Sequence, residues 1–266
     1  MISVVIPAYN SRDTICDCID SVLNQTRQDL IEEIIVVNDG STDDTAELVR
    51  NKYIDVEKIN LFEKENGGVS TARNAGIKAA RGKWIALLDS DDVWLPNKIE
   101  AQWKQIEKHP EIKFIGCNRN QENLHYGTKV TDELYRLNLK QILIKMWPHT
   151  STALIRRSVF KETGLFNEKQ KYAEDGEMWN RIAIIYPLYY IPQSLEIAGD
   201  NKVSFGVSGL SANLEAMYLG NVRNINRLLK KKEITPGFYL FLRAFYWVKY
   251  LRRILITKHN QKKTES

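Results

Sequence analysis

Over the first 120 residues, short apolar runs alternate with amphipathic stretches. Ile2–Pro7 (ISVVIP), Glu33–Asn38 (EIIVVN), Lys83–Leu88 (KWIALL) and Lys113–Asn118 (KFIGCN) are near-continuous apolar runs, as strands buried on both faces require. Lys58–Phe62 is a weaker strand between the second and third of these. Asp13–Gln25 places Ile15, Ile19, Val22 and Leu23 on one helical face. Further helices are expected from Ser41 or Thr42, as cap, to about Asn51, over Val69–Ala80, and over Pro96–Lys108. Strands separated by helices imply parallel crossovers. The expected class is α/β, an open, mostly parallel sheet of Rossmann-like type with helices on both faces.

Beyond Arg119 the alternation stops. Gln121–Thr131 is polar and contains Gly127, so it reads as a loop or lid. Thr131–Lys145 reads as a helix, Ser151–Ile155 as a strand, Glu174–Ile185 as a helix and Leu188–Ile191 as a strand. Ser208–Lys232 is a long helix without a strong apolar face, and Pro236–Lys258 an aromatic-rich one. No linker divides the chain, which suggests one catalytic unit over residues 1–205 and a helical, basic extension over 206–266. Within the unit, residues 1–120 form one half and 121–205 the other.

Charge sharpens this division. The chain of 266 residues carries +5 overall, but twelve Lys or Arg and one acid fall between Arg223 and Lys263. That segment is +11 and the remainder −6, so the basicity belongs to the tail. A nucleic-acid enzyme would carry it around the working domain, and nucleic acid is not expected as a partner. Three cysteines (Cys16, Cys18, Cys117) do not make a disulfide framework and suggest a reducing compartment. Met1 leads directly into a strand, without the pattern of a signal peptide, and no apolar run reaches the ~18 residues of a membrane span. A cytoplasmic protein, soluble or on a membrane surface, is expected.

Candidate chemistry lies after the strands, where open α/β sheets bind ligands. The first strand is followed by Pro7-Ala8-Tyr9-Asn10, the second by Asn38-Asp39-Gly40-Ser41, the third by Glu65-Asn66-Gly67-Gly68 and the fourth by Asp89-Ser90-Asp91-Asp92. Turn and cap chemistry alone explains the first three. The fourth is harder to explain so, because three carboxylates in four residues repel one another unless a cation sits among them. Hard oxygen ligands suit Mg²⁺ or Mn²⁺, which also bind diphosphate. Arg73, in the helix after the glycines, can answer a phosphate or pair with the acidic cluster. Glu174, Asp175 and Glu177 crowd a helix start, where they either complement the dipole or supply a general base.

Taken in order, these clusters resemble a family-2 glycosyltransferase with the GT-A fold, of bacterial surface-polysaccharide type. The matching stretches are Val4–Asn10, Val36–Asp43, Asn66–Asn74, Leu87–Asp92 and Glu174-Asp175, covering roughly residues 2–190. The resemblance implies a nucleotide-sugar donor lying against Pro7, Ala8, Tyr9 and Asn10. Asp39 beside Gly40 would accept from the base, uracil being the commoner one in similar proteins. Asn66, Arg73, Asp89 and Ser90 would complete the nucleotide and diphosphate site. Asp91, with Asp89 and Asp92, would be the DxD motif holding Mn²⁺ or Mg²⁺. Asp175 would be the base that deprotonates a saccharide acceptor, supported by Glu174, giving inversion. His149 and Trp179 are candidates for the acceptor side. Processive members carry Gln-x-x-Arg-Trp downstream of the base; no such string occurs here, so addition of one sugar is expected. A nucleotidyltransferase would need a Gly-rich basic loop after the first strand, which Pro7–Asn10 is not. A non-catalytic nucleotide-sugar-binding scaffold is disfavoured by intact Asp39, Asp91 and Asp175.

In the tail, Leu240, Phe241, Ala244, Phe245, Trp247, Val248, Leu251, Ile254 and Leu255 fill about half a helical wheel, opposite Lys249, Arg252 and Arg253. This fits an interfacial anchor on an anionic inner leaflet, hence a peripheral membrane protein and a lipid-linked acceptor, as in O-antigen or capsule synthesis. The alternative is a helix packed on the catalytic unit or on a second copy as a homodimer.

Overall fold

The computed structural model describes residues 1–199 and 210–264. The strands are β1 (Ile2–Ala8), β2 (Ile31–Asp39), β3 (Ile59–Lys64), β4 (Trp84–Leu87), β5 (Asp92–Trp94), β6 (Phe114–Asn118), β7 (Thr128–Thr131), β8 (Leu134–Leu137), β9 (Leu154–Arg156), β10 (Leu188–Ser194) and β11 (Glu196–Ala198). The helices are α1 (Ile15–Leu23), α2 (Thr45–Lys52), α3 (Val69–Ala79), α4 (Lys98–Lys108), α5 (Leu139–Ile144), α6 (Ser158–Thr163), α7 (Glu174–Ile185), α8 (Leu214–Lys230) and α9 (Pro236–Thr264).

Nine strands form one sheet in the order β3-β2-β1-β4-β9-β6-β10-β8-β7; β5 and β11 form a separate antiparallel pair. β9 and β8 run against the other strands, so the sheet is mostly parallel. Successive side chains of β1 enter opposite layers. Val4 and Ile6 pack with Ile15, Ile19 and Ile99, whereas Val5 packs with Ile35, Ala72, Ile77 and Leu87 on the other face. Burial on both faces is why these strands are apolar throughout. Ala8 pairs with Asn38, so the loops leaving β1 and β2 emerge side by side.

The second half departs from the periodicity reading. Thr131–Lys145 is not one helix but strand β8 followed by α5. Leu134 and Leu137 mimic a helical i, i+3 pair, but Asn138 begins a new element. Its side chain accepts from Gln141 N while Gln141 returns to the Asn138 N–H, a capping box that sets the helix start. Gln121–Thr131 ends in β7, an exposed edge strand paired with β8. In Ser151–Ile155 the chain first makes a 3-10 turn, Thr150–Thr152, and extends only from Leu154. The helix read over Ser208–Lys232 runs from Leu214; Ser208 and Gly209 lie outside the described residues. It does carry a buried face, with Val222, Ile225 and Leu228 turned inward. Leu143 of α5, Ile225, Leu228, Ile234, and Leu242 and Tyr246 of α9 form a third core cluster. The tail therefore packs on the catalytic unit, the alternative raised against a free anchor.

Candidate active site

The ends of β1, β2 and β4 and the start of α7 converge on one cleft. Pro7 and Ala8 are buried within β1, so Tyr9, half exposed, and Asn10 carry the first rim loop. Asn10 takes a left-handed φ of 49° and accepts from Thr42 N at 2.8 Å, while its own N–H donates to Ser41 Oγ at 3.0 Å. These bonds tie the first loop to the second. Gly40 has φ +70°, and a Cβ there would meet Asn66 N at 2.8 Å, so the second and third loops touch where no side chain fits. Asn66 donates to Asp39 O at 2.9 Å.

Asp39 is buried and its carboxylate is well supplied. Oδ1 accepts from Lys64 Nζ at 2.5 Å and Gly67 N at 3.1 Å, and Oδ2 from Gly68 N at 2.7 Å. A carboxylate accepts about four such bonds, which leaves room for one further donor.

The acidic loop divides its carboxylates among different partners. Asp89 Oδ1 accepts from Arg73 Nη2 at 2.7 Å, Ser90 Oγ pairs with Ser11 Oγ at 2.6 Å, and Asp91 is exposed. Asp92 is buried instead: it accepts from Ser151 Oγ and from Gly199 N at 3.0 Å. Its carboxylate lies 3.9 Å from His149 Nδ1, which is 2.9 Å from Glu196 Oε1. Burial, then Glu196, pushes the Asp92 carboxyl well above its ordinary value. Burial alone would favour a neutral imidazole, but Glu196 outweighs it and holds His149 up at about 9.

Three carboxylates were expected around one cation. Among the described residues, the three-residue set whose ligand atoms lie within 4.8 Å of one another is Asp92, His149 and Glu196. Glu196 Oε2 is buried there without a hydrogen-bond partner. One imidazole and two carboxylates suit Mn²⁺ as donors, as do the hard oxygens of Asp91 and Asp89 on the cleft side.

Arg73 links the two halves. It is buried at 3% exposure, with Nη2 on Asp89 and Nη1 on Glu174 at 3.0 Å, and its guanidinium lies 5.3 Å from the Phe166 ring centroid. Burial and then Asp175 raise Glu174 against the pull of Arg73, and its pKa stands at about 7. Asp175 is half-buried. Its Oδ1 accepts from Gly176 N at 2.6 Å, the one hydrogen bond its carboxylate makes among the described residues.

The residue before this pair, Ala173, has φ 54°, a left-handed conformation costing about 1–3 kcal/mol that must be over-determined by its surroundings. Its carbonyl accepts from Gln170 Nε2 at 3.1 Å, Asn224 Nδ2 at 3.0 Å and Glu177 N at 3.1 Å. Asn224 belongs to α8, so the tail helps hold the start of α7.

Trp179 is not on the acceptor side. It is fully buried, edge-on to Phe114 with ring centroids 4.8 Å apart, and its Nε1–H donates to Pro148 O. One turn beyond Asp175, it points into the sheet layer rather than the cleft. His149 does reach a cavity of about 200 Å³, lined also by Asp175, Trp147, Tyr218, Lys249 and Arg253. Ser151, Glu196, Lys64 and Asn224 were missed by the sequence reading. Each acts on a partner at least 25 residues away, and no local pattern marks it.

The family model described as Glycosyl transferase family 2 matches residues 3–164. The chain belongs to glycosyl transferase family 2. The chain spans 61% of the length of the first two curated relatives it matches and 31% of the third. It is 35% identical over 199 residues to the uncharacterized glycosyltransferase RP339 of Rickettsia prowazekii (strain Madrid E), covering 71% of this chain and 61% of that protein. Glycosyltransferase GlyG of Streptococcus pneumoniae serotype 4 (strain ATCC BAA-334 / TIGR4) is 30% identical over 87% of this chain and 79% of its own. The fold is that of S. aureus TarS in complex with UDP-GlcNAc, with a TM-score of 0.69 and 20% identity over 92% of this chain and 71% of that one. The mannosyltransferase PcManGT from Pyrobaculum calidifontis, in complex with GDP-Man and Mn2+, gives the same TM-score and identity over 92% and 69%. The family-2 glycosyltransferase thus has the GT-A fold, with a C-terminal helical segment. Among the described residues, no helix is long and apolar enough to cross a membrane.

Proposed function

We propose that this glycosyltransferase moves one sugar from a nucleotide-sugar, of the UDP type, to a hydroxyl of a saccharide acceptor with inversion, in the assembly of a bacterial surface glycan. The observation that carries this reading is the Asp89–Arg73–Glu174 bridge, which brings the acidic loop and the start of α7 to one cleft. Tyr9 and Asn10 border the nucleotide, Asp39 accepts from the base, and Asn66 and Ser90 hold the loops that surround it. Asp91, with Asp89 and Asp92, would hold Mn²⁺ or Mg²⁺, which when bound would offset charge on the departing diphosphate. Asp92 supports that loop from behind through Ser151 and His149.

Asp175 is the base. Its Oδ2 is open to take the acceptor's proton as the hydroxyl attacks the anomeric carbon opposite the diphosphate. Glu174, beside it, is held by Arg73 Nη1 at 3.0 Å and positions the start of α7. Arg73 keeps both carboxylates in place from below.

The outer face of α9 supports a peripheral position on an anionic inner leaflet. Leu240, Phe241, Trp247, Val248, Leu251 and Leu255 are all exposed, spaced along one side of the helix. From Pro236 to Thr264 the helix contains no acid and several Lys and Arg. A membrane-bound enzyme of this kind meets a lipid-linked acceptor at the cytoplasmic face.

Asp175→Asn tests the base. Transfer should fall by about 10²–10⁴-fold, while nucleotide-sugar binding measured by calorimetry stays near wild type. An equal loss of donor affinity would contradict the assignment.

A further inference from the structure

Strands β5 and β11 form a ribbon apart from the main sheet, and its register sets two acids side by side. Asp92 pairs with Ala198, and Glu196 with Trp94. Glu196 lies two residues before Ala198, so its side chain and that of Asp92 leave the ribbon on the same face. The 3-10 turn Thr150–Thr152, begun by His149, is fixed to the ribbon twice. Trp94 Nε1–H donates to Ser151 O at 2.7 Å, and Ser151 Oγ–H donates to Asp92 Oδ2. His149 Nδ1 thereby stands 2.9 Å from Glu196 Oε1 and 3.9 Å from Asp92 Oδ2.

Core packing does not account for this set. Glu196 is fully buried and Asp92 is 3% exposed, and two carboxylates in a poor solvent repel each other. Arg119 and Lys98 add positive charge around them. Even so, Glu196 Oε2 is buried with no hydrogen-bond partner, although the other oxygen of the same carboxylate meets His149. Leaving a buried acceptor unpaired is costly. A metal dication takes lone pairs from an imidazole nitrogen and from carboxylate oxygens at once. The other requirements of a metal site are also met. Asp92 is oriented by its neighbours, through Gly199 N on Oδ1 at 3.0 Å and Ser151 on Oδ2. The His149 side chain is 26% exposed and lines the cavity of about 200 Å³ shared with Asp175, which gives an ion its way in.

We infer that Asp92, His149 and Glu196 hold a second divalent cation, of the Mn²⁺ or Zn²⁺ class, which binds without the nucleotide-sugar. Their ligand atoms all lie within 4.8 Å of one another. The imidazole disfavours Mg²⁺, whereas the donor's cation meets only carboxylate oxygens and can be either Mn²⁺ or Mg²⁺. Asp92 belongs to both sets, and a carboxylate with two oxygens can serve an ion on each side. His149 and Glu196 lie outside the acidic loop. The ion therefore ties that loop to the 3-10 turn and to β11 before any donor arrives.

The full chain, stripped with a chelator, is titrated by calorimetry with Mn²⁺, Zn²⁺ and Mg²⁺ in the absence of any nucleotide. One Mn²⁺ or Zn²⁺ should bind per chain and raise the melting temperature, with Mg²⁺ much weaker. His149→Gln and, separately, Glu196→Gln should weaken that binding by about tenfold or more, equivalent to about 1.4 kcal/mol. Asp91→Asn should retain it. Wild type that takes up no dication, or unchanged affinity in both variants, would overturn the inference and leave His149 and Glu196 as an ion pair of the fold. Loss in Asp91→Asn would overturn it too, by assigning the ion to the donor's loop. Melting curves verify the folds, and the wild-type titration decides the matter should either variant unfold. Nucleotide-sugar binding with Mn²⁺ is scored separately on the same proteins: its absence from wild type would defeat the donor reading without touching the nucleotide-free titration.

Discussion

Replacing Arg73 with methionine should be the most damaging single change near the cleft that touches no apolar core residue. The guanidinium is 3% exposed and holds two carboxylates, Asp89 at 2.7 Å and Glu174 at 3.0 Å. Methionine fills most of the volume, so the loss is chiefly electrostatic. Removing one member of a buried ion pair costs about 3–5 kcal/mol, because the partner is left charged in a poor solvent. Glu174, with a side chain 10% exposed, bears most of that; Asp89, at 25%, is better screened. For a protein of this size about 2–4 °C accompany each kcal/mol, so the midpoint should drop by about 6–20 °C. Without Arg73 the Glu174 pKa climbs beyond its present value of about 7, and protonation limits the damage at low pH. The deficit should therefore be larger at pH 8 than at pH 6. Arg73→Met/Glu174→Gln should recover part of it, since the stranded charge is gone. Thermal and urea unfolding of the four proteins, as a double-mutant cycle, measures this. A single-variant loss under about 1 kcal/mol, or no recovery in the double variant, would refute the buried-bridge reasoning.

Three further outcomes follow from the same contacts. The folded pKa of Glu174 lies above its ordinary value of 4.5, so its contribution is complete below pH 4.5 and is lost as pH rises through about 7; the melting temperature of wild type should fall across that window more than that of Glu174→Gln. Asn224→Ala removes the side chain that accepts from Gln170 and donates to Ala173 O, so it should cost about 1–3 kcal/mol and lower kcat with little change in the donor KM. Trp247→Ser/Leu251→Ser alters only exposed positions of α9, so it should abolish sedimentation with anionic liposomes while leaving the melting temperature within about 1 °C; retained liposome binding would overturn the stripe as the membrane contact.

The stripe variant replaces a test that the sequence alone would have suggested. Deleting everything after Ile234 removes Leu242 and Tyr246, and Tyr246 Oη donates to Leu143 O at 2.7 Å, so the truncation would open a core rather than detach an anchor.

How far the sequence could be read depended on the range of the interactions. The nucleotide half was legible because strands buried on both faces are apolar throughout, and because each strand end delivers its polar residues locally. Ile2–Ala8, Ile31–Asp39 and the loops after them appear where the pattern put them. The second half mixes antiparallel strands with short helices, and Leu134–Leu137 carries a spacing that suits either period. Arg73 was readable as a phosphate ligand or an ion-pair partner, and only the fold, by bringing Glu174 beside Asp89, shows it in a pair. Asp92 was read with Asp89 and Asp91 as a cation ligand; the fold adds what the sequence could not show, that His149 and Glu196 stand beside it with ligand atoms within 4.8 Å of one another. The wheel of α9 showed an apolar stripe, but a wheel does not reveal which residues face the body: Leu242 and Tyr246 do, while Trp247, Val248 and Leu251 face outward.

The central claim is that the cleft at the ends of β1, β2 and β4 binds a nucleotide-sugar through the acidic loop. Thermal shift against a panel of UDP-, GDP- and other nucleotide-sugars, with and without Mn²⁺, tests it most directly. A ligand at about 100 times its Kd adds about 2.7 kcal/mol of stability. The account predicts Mn²⁺-dependent stabilisation by a UDP-sugar that disappears in Asp91→Asn and survives in Asp175→Asn. Stabilisation by no nucleotide-sugar, in a protein that melts cooperatively, would contradict it.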